Sequence, residues 1–286
     1  MDLKKAIKDY AKANGIDLIG FASKDRFEGQ KAAVNPFSIF PEGKTVIMIG
    51  KRICRGSLRG IEEGSNFGDY GMFGSSWLED EFLAIACYDI TRVLENEGWE
   101  ACPIFPNPTE VAPQGVAIAP DKPAPDVHPD FTYAAVAAGL AEISYNDMLF
   151  TKQFGSRQRF HMIITDAAIA ADPLLEESVC DSCGKCAQVC PLGAISADEY
   201  EIVNICGKEM KVAKINYALC KACPNGARGN RFTARAKPDR IPALCNRTCM
   251  GHLESNGLID NVFENKFRQR KAWGKNKSGV NVDVEI

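Results

Sequence analysis

Apolar residues recur at helical spacing from the start of the chain. Leu3, Ala6, Ile7, Tyr10 and Ala11 fall at i, i+3, i+4, i+7 and i+8, the stripe of an amphipathic helix that ends near Gly15. Continuous apolar runs follow at Leu18 to Ala22 and at Thr45 to Ile49, and both read as buried strands. Phe82, Leu83, Ala86, Ile90, Val93 and Leu94 mark a long helix from about Trp77 to Asn96, stopped by Gly98. A short strand is expected at Ala101 to Phe105, a helix at Tyr133 to Leu140 and a strand at His161 to Thr165. Between them, Pro103 to Pro129 holds eight of the fifteen prolines and should run as an extended connection. Helices alternating with strands predict a layered α/β domain to about residue 172, with Asp172-Pro173 at its end.

From Val179 the pattern changes to short cysteine-bearing turns with little apolar periodicity. A segment of that kind builds little core of its own and takes its order from bound metal. Residues 173–255 are therefore read as a second domain and 256–286 as a basic tail carrying Lys266, Arg268, Arg270, Lys271, Lys275 and Lys277. The tail is either a solvated terminus or a contact for RNA or a protein partner.

Composition narrows the class. A formal net charge of −3 leaves no global basic field for nucleic acid. The opening Met1-Asp2-Leu3-Lys4-Lys5 leads straight into an amphipathic pattern, so neither an export leader nor a membrane association is expected. In a reducing, cytoplasmic setting, twelve cysteines point to metal or redox roles rather than disulfides. Walker loops and G-x-S-x-G elbows are absent, and His128, His161 and His252 lie far apart in sequence, so hydrolysis and phosphoryl transfer are poor fits. The glycine-rich stretch Gly60 to Gly74 is open to two readings, a cover for a planar cofactor or a plain loop.

The sharpest motif is Cys180-x2-Cys183-x2-Cys186-x3-Cys190-Pro191. This spacing with its trailing proline is that of bacterial ferredoxins, where the fourth cysteine ligates the other cubane of a pair. Cys206, Cys220, Cys223, Cys245 and Cys249 are available to complete the two sets. The expected pairing is Cys180, Cys183, Cys186 and Cys249 on one [4Fe–4S] cluster, with Cys190, Cys220, Cys223 and Cys245 on the second. Cys245-x3-Cys249 mirrors Cys186-x3-Cys190, and Cys206, in an expected hairpin from Tyr200 to Val212, is left out. Taken alone, the later cysteines would also suit zinc. Cys54, Cys87 and Cys102 read as small buried hydrophobes.

The chain also resembles a known family. Ala134-Ala135-Val136-Ala137-Ala138-Gly139-Leu140, Phe154-Gly155-Ser156-Arg157-Gln158-Arg159-Phe160 and Ile164-Thr165-Asp166 lead in that order into the cysteine run. The combination is similar to the corrinoid iron–sulfur reductases, which include epoxyqueuosine reductase and the reductive dehalogenases. The resemblance implies an α+β protein, with a nitroreductase-like α/β domain for base-off cobalamin and a ferredoxin-like module with two [4Fe–4S] clusters. It implies reduction of a C–O or C–halogen bond at cobalt, with a nearby acid giving a proton. The candidate for that acid is Asp130, with Tyr133 or Tyr145 as phenolic alternatives; Asp130 is equally suited to cap the helix that follows it. Asn146, Gly155, Arg157 and Arg159 are the expected corrinoid contacts, and the arginines are equally suited to an ordinary strand entry. A small donor such as a ferredoxin or flavodoxin is the expected partner, and tRNA a possible second one through the tail. Gly139-Leu140-Ala141 and Ser144 depart from the glycines usual in the epoxyqueuosine branch, which leaves the substrate open. An electron carrier without corrinoid is the competing reading.

Overall fold

The computed structural model describes residues 2–111 and 113–284. It divides into two compact units whose segments interleave along the chain. One contains residues 1–52, 76–140 and 159–175, and the other contains 53–75, 141–158 and 176–286. These are not the consecutive segments 1–172, 173–255 and 256–286 read from composition. The cysteine-bearing half takes in two earlier stretches, and the basic tail packs within the same unit rather than apart from it.

The first unit is built on a four-stranded sheet. Its strands are β1 (Leu18–Ser23), β2 (Thr45–Arg52), β3 (Ala101–Ile104) and β6 (Gln158–Thr165), in the order β1-β2-β6-β3. β1 pairs antiparallel with β2, Leu18 opposite Gly50, and β3 pairs antiparallel with β6, Ala101 opposite Thr165. Val46 to Ile49 and Met162 to Ile164 are fully buried, which explains why these strands read as unbroken apolar runs. Helix α1 (Leu3–Ala13) begins where the Asp2 carboxylate accepts from the Lys5 amide. Its Lys4 and Lys8 ammonium groups lie over the Phe21 ring at 5.1 and 5.5 Å. On the other face of β1, a methyl at Gly20 would meet the Ala138 carbonyl oxygen at 2.5 Å, at the end of α5 (Phe131–Ala137). Successive residues of one strand thus face helices on opposite sides, giving a helix–sheet–helix layering.

The long helix expected from Trp77 is regular only as α4 (Ala84–Asn96), after wide π-type turns from Leu78 to Leu83. Phe82, Ile85 and Tyr88 remain exposed. The proline-rich stretch after β3 has no helix or strand among its described residues, as its composition predicts.

The second unit holds two short helices, α2 (Arg59–Glu62) and α3 (Gly68–Gly71), and a small pair, β4 (Glu142–Ile143) with β5 (Leu149–Phe150). They are joined by α6 (Lys185–Gln188), α7 (Tyr217–Lys221), α8 (Leu244–Ser255) and the pair β9 (Trp273–Lys275) and β10 (Asn281–Asp283). A long hairpin, β7 (Ile195–Ile205) with β8 (Lys208–Ile215), pairs Tyr200 with Ala213 and Glu201 with Val212, the hairpin expected from sequence. Its two-residue turn places Cys206 at φ 53° and Gly207 at φ 89°, and the Asn204 carboxamide oxygen accepts from the Gly207 amide. The twelve-residue α8 was not expected, because only its outer turn is exposed and apolar periodicity is therefore weak.

Two positions in the first unit give tests. Gly139 sits at φ +73°, and a methyl there would lie 2.0 Å from the Pro173 carbonyl oxygen. Gly139→Ala should lower stability by about 1–3 kcal/mol from backbone strain alone, read as a lower melting temperature; an unchanged melt would show that the 173–175 segment yields freely. Cys87 is 2% exposed, and burial pushes its thiol up to about 12. Between the unfolded thiol's range and pH 12 the folded state holds one more proton, so stability falls as pH rises. The stability advantage of the native chain over Cys87→Ala should shrink by about 1.4 kcal/mol per pH unit across that window; a constant difference would contradict it.

Candidate metal centres

The cysteine run begins beside a buried carboxylate. Glu142 of β4 accepts from the Val179 amide at 2.8 Å, the Cys180 amide at 2.7 Å and the Ser178 hydroxyl at 3.1 Å. The Lys208 ammonium lies 3.5 Å from its other oxygen and balances its charge. These bonds fix where the chain enters the Cys180 loop. Ser182 at φ 54° and Gly184 at φ 74° then turn the backbone through left-handed conformations, which lets successive cysteines point to a common centre. Cys186 lies on α6, and Cys190 and Pro191 follow directly.

The later cysteines come from two helices. Asn216 caps α7 by accepting from the Leu219 amide, and Cys220 sits in its last turn, with the Cys223 amide donating to the Cys220 carbonyl. Cys245 and Cys249 are four apart on α8 and so project from one helical face. Asn246, between them, anchors that helix through bonds to the Ser156 hydroxyl and the Ile241 carbonyl, both 2.8 Å.

The thiols fall into two neighbourhoods. Cys249, buried, feels Cys186, Cys180 and Cys183 most strongly among the thiols, and Cys245 more weakly. Cys245 instead feels Cys190, Cys223 and Cys220. Burial is the first cause that raises the thiols of Cys180, Cys183, Cys186, Cys220, Cys223, Cys245 and Cys249, taking Cys186 and Cys245 up to about 12. Three sulfurs also accept from amides at 3.4 Å: Cys180 from Tyr145, Cys190 from Ala194 and Cys223 from Asn225. Thiol sets with amides aimed at sulfur are the donor chemistry a cubane uses. Cys206 lies at the hairpin turn. Asp181, Cys183 and His252 form a small cluster of their own, with His252 Nε2 2.6 Å from the Asp181 carboxylate.

Of the other sequence candidates, Tyr145 meets these sulfurs through its backbone amide on Cys180. Asp130 caps α5, its carboxylate accepting from the Tyr133 amide at 2.9 Å, and the Tyr133 hydroxyl donates to the Arg26 carbonyl at 2.7 Å. Tyr145 donates its hydroxyl to the Ser196 and Ala197 carbonyls. A methyl at Gly155 would meet Met250 Sδ at 2.6 Å, so its backbone is packed against α8. Buried Arg157 donates to the Ile53 carbonyl at 3.4 Å and the Asn261 side chain at 3.0 Å and lies 3.5 Å from Glu254. Arg159 lies 3.5 Å from Glu79. Asn146 is buried and accepts from the Ser144 hydroxyl, while its side-chain nitrogen has no partner among the described residues.

Sequence reading missed Glu142 and Asn246. Glu142 could have been found as an acid between the apolar residues Ala141 and Ile143, which is a costly position unless it is bonded.

Residues 173–196 match the family model of the 4Fe–4S binding domain, which makes the run from Cys180 to Cys190 an iron–sulfur segment. Over 68 residues the chain is 41% identical to the tetrachloroethene reductive dehalogenases of Desulfitobacterium hafniense and Dehalobacter restrictus, covering 23% of this chain and 12% of theirs. The chain thus spans about an eighth of the curated relatives it matches. Among solved structures it is similar to an epoxyqueuosine reductase from Streptococcus thermophilus, at 19% identity and TM-score 0.46, covering 69% of this chain and 55% of that one. It is also similar to a reductive dehalogenase whose structure is described in terms of B12-dependent dehalogenation. There the identity is 15% and the TM-score 0.47, over 99% of this chain and 41% of that one. Epoxyqueuosine reductases and reductive dehalogenases are the proteins that the motif order in the sequence resembles.

Glu142→Ala leaves the Val179 and Cys180 amides without their acceptor, at about 1–3 kcal/mol each. The variant should melt lower and hold less iron after anaerobic reconstitution; full iron loading would show that the Cys180 loop keeps its course without the carboxylate.

Proposed function

We propose that the chain is an iron–sulfur reductase of the cytoplasm that moves single electrons through two [4Fe–4S] clusters. Cys180, Cys183, Cys186 and Cys249 cage one, and Cys190, Cys220, Cys223 and Cys245 cage the other. The observation that carries this reading is the division of eight thiols into two mutually close sets, with α8 giving one cysteine to each. The match of residues 173–196 to the 4Fe–4S binding domain supports the metal, and the named relatives support the reaction class.

The finer part of the proposal is that a nitroreductase-like first unit works with cobalamin. When bound, a corrinoid supplies a cobalt centre that accepts single electrons and reduces a C–O or C–halogen bond. Among the expected corrinoid contacts, Asn146, of the second unit, keeps a buried side-chain nitrogen without a partner among the described residues. Gly155 and Arg157 are committed to protein contacts, and that favours the competing reading, an electron carrier with no corrinoid, at those two positions. Asp130 holds the N-terminus of α5 and is the proposed proton source, with Tyr133 beside it. A tRNA contact through the tail would rest on Lys266, Lys275 and Lys277. Arg268, Arg270 and Lys271 are ion-paired to Glu62, Glu63 and Asp283.

Protein reconstituted without oxygen should carry about eight iron atoms, the sum for two cubanes; about four would leave one set empty, and zinc in their place would end the proposal. Supplied with hydroxocobalamin, it should retain the corrinoid and give a base-off Co(II) EPR signal. Loss of the corrinoid on gel filtration would leave the electron carrier as the reading. Asn is as good a cap as Asp, so Asp130→Asn should keep the fold and slow turnover at least tenfold; unchanged turnover removes Asp130 from the chemistry.

A further inference from the structure

A guanidinium lies buried in the second unit with no carboxylate in close contact. Arg240 is 3% exposed, and its side chain is charged at any ordinary pH. Its Nη2 donates to the Asp147 backbone carbonyl at 2.9 Å and lies 3.8 Å from the Asp147 carboxylate. That carboxylate is held more closely by other groups, the Tyr217 hydroxyl and the Lys237 ammonium, the latter at 2.7 Å. Nη1 of Arg240 is buried and has no hydrogen-bond partner among the described residues. A buried, charged donor in that condition is costly unless an acceptor from outside the chain meets it.

The place of that acceptor follows from what packs beside the guanidinium. Its carbon lies 5.3 Å from the centre of the Tyr217 ring. Tyr217 opens α7 about one turn before Cys220. With Cys190 and Cys223 it packs against the cluster of Leu192, Ala194 and Cys220. On the other side, the Ala243 amide donates to the Arg240 carbonyl at 3.0 Å, and Ala243 leads into α8 and Cys245. Burial raises the Cys220 and Cys245 thiols, and the Arg240 guanidinium is the largest influence that draws them back down. The main influences on Cys180, Cys183, Cys186 and Cys249 include no cation. Arg247 also has a bare nitrogen, but its guanidinium is bonded directly to Glu62 and to the Pro242 carbonyl.

We propose that Arg240 donates its Nη1–H to the cubane held by Cys190, Cys220, Cys223 and Cys245, and so keeps that cluster's reduction potential above the value its thiolates alone would set. The proposal rests on the two-cluster reading above. When a one-electron donor is oxidised and the cluster reduced, the cluster gains one negative charge with no bond made or broken. A fixed cation with an N–H aimed at sulfur stabilises the reduced form more than the oxidised one. Because Arg240 serves one thiol set, its effect falls on one cluster of the two.

The test is a redox titration of the anaerobically reconstituted chain, followed by EPR, with iron assayed alongside. Arg240→Met keeps an unbranched side chain without charge or N–H. At a fixed applied potential it should lower the reduced-to-oxidised ratio of one cluster about tenfold, a shift of about 59 mV for one electron. The other cluster should not move. Arg240→Lys keeps a cation on a flexible stem and should change the ratio by less than about threefold. Arg240→Gln keeps a side-chain N–H for the Asp147 carbonyl but no charge, and supplies the measurement if Arg240→Met loses iron; its ratio should also fall. Full iron with both potentials unmoved overturns the proposal, and so does an equal shift of both clusters. Loss of one cluster from all three variants overturns it as well, because Arg240 is then a support for the fold alone. Native protein with about four iron atoms, or none, defeats the two-cluster reading itself; native protein with about eight and unmoved variants defeats only the role of Arg240.

Discussion

A buried thiol is easily kept as a thiol and hard to keep as a thiolate, and the second unit is organised around that conflict. Burial pushes Cys186 and Cys245 up to about 12 and Cys249 well above its ordinary value, each beside further thiols that repel a negative charge. Without a cation, several thiolates this close together are strongly disfavoured. With iron and sulfide the same crowding becomes favourable, because the metal takes the charge and the proteins' amides point at the sulfurs of Cys180, Cys190 and Cys223. Metal loading and proton release are therefore one equilibrium in this unit.

Helix α8 is what joins the two thiol sets. Four residues is one turn, so Cys245 and Cys249 face the same way about 6 Å apart along the axis, and one rigid element fixes the spacing between the neighbourhoods. Its anchoring is correspondingly elaborate. Arg247 is fully buried and pairs with Glu62, which also meets Arg268 from the tail segment, while Asn246 reaches Ser156. Removing one partner from such a buried set leaves an uncompensated charge, which costs far more than the pair itself contributes. This explains why residues 53–75 and the basic tail belong with the cysteine half: Glu62 and Arg55 are the counter-charges to Arg247 and Glu254 of α8, and Arg268 of the tail pairs with Glu62 in turn.

The legible parts of the sequence were those with a short-range signal. The strands at Leu18, Thr45 and His161 are buried on both faces and so read as apolar runs. The hairpin around Cys206 was expected from Tyr200 to Val212, and the first cysteine run was visible from its spacing alone. What was not legible depends on distant partners. Helix α8 carries asparagine, arginine, threonine and two cysteines inward, and these form no apolar stripe; Glu62, Ser156, Arg268, the Ile241 and Pro242 carbonyls and the facing thiols make those positions tolerable. The interleaving of the units was hidden for the same reason. Arg157 looks like a surface residue until Asn261, far along the chain, is brought to it.

The charge of the second unit follows from the same economy. Basic side chains inside it are matched to carboxylates: Arg247 and Arg268 to Glu62, Lys208 to Glu142, Arg55 to Glu254. The loop from Asn216 to Pro238 holds no acid of its own, and its Lys237 is matched to Asp147 at 2.7 Å. A unit that draws its counter-charges from distant parts of the chain ties its cysteine-bearing elements to those segments, so that loss of one carboxylate leaves a buried cation uncompensated.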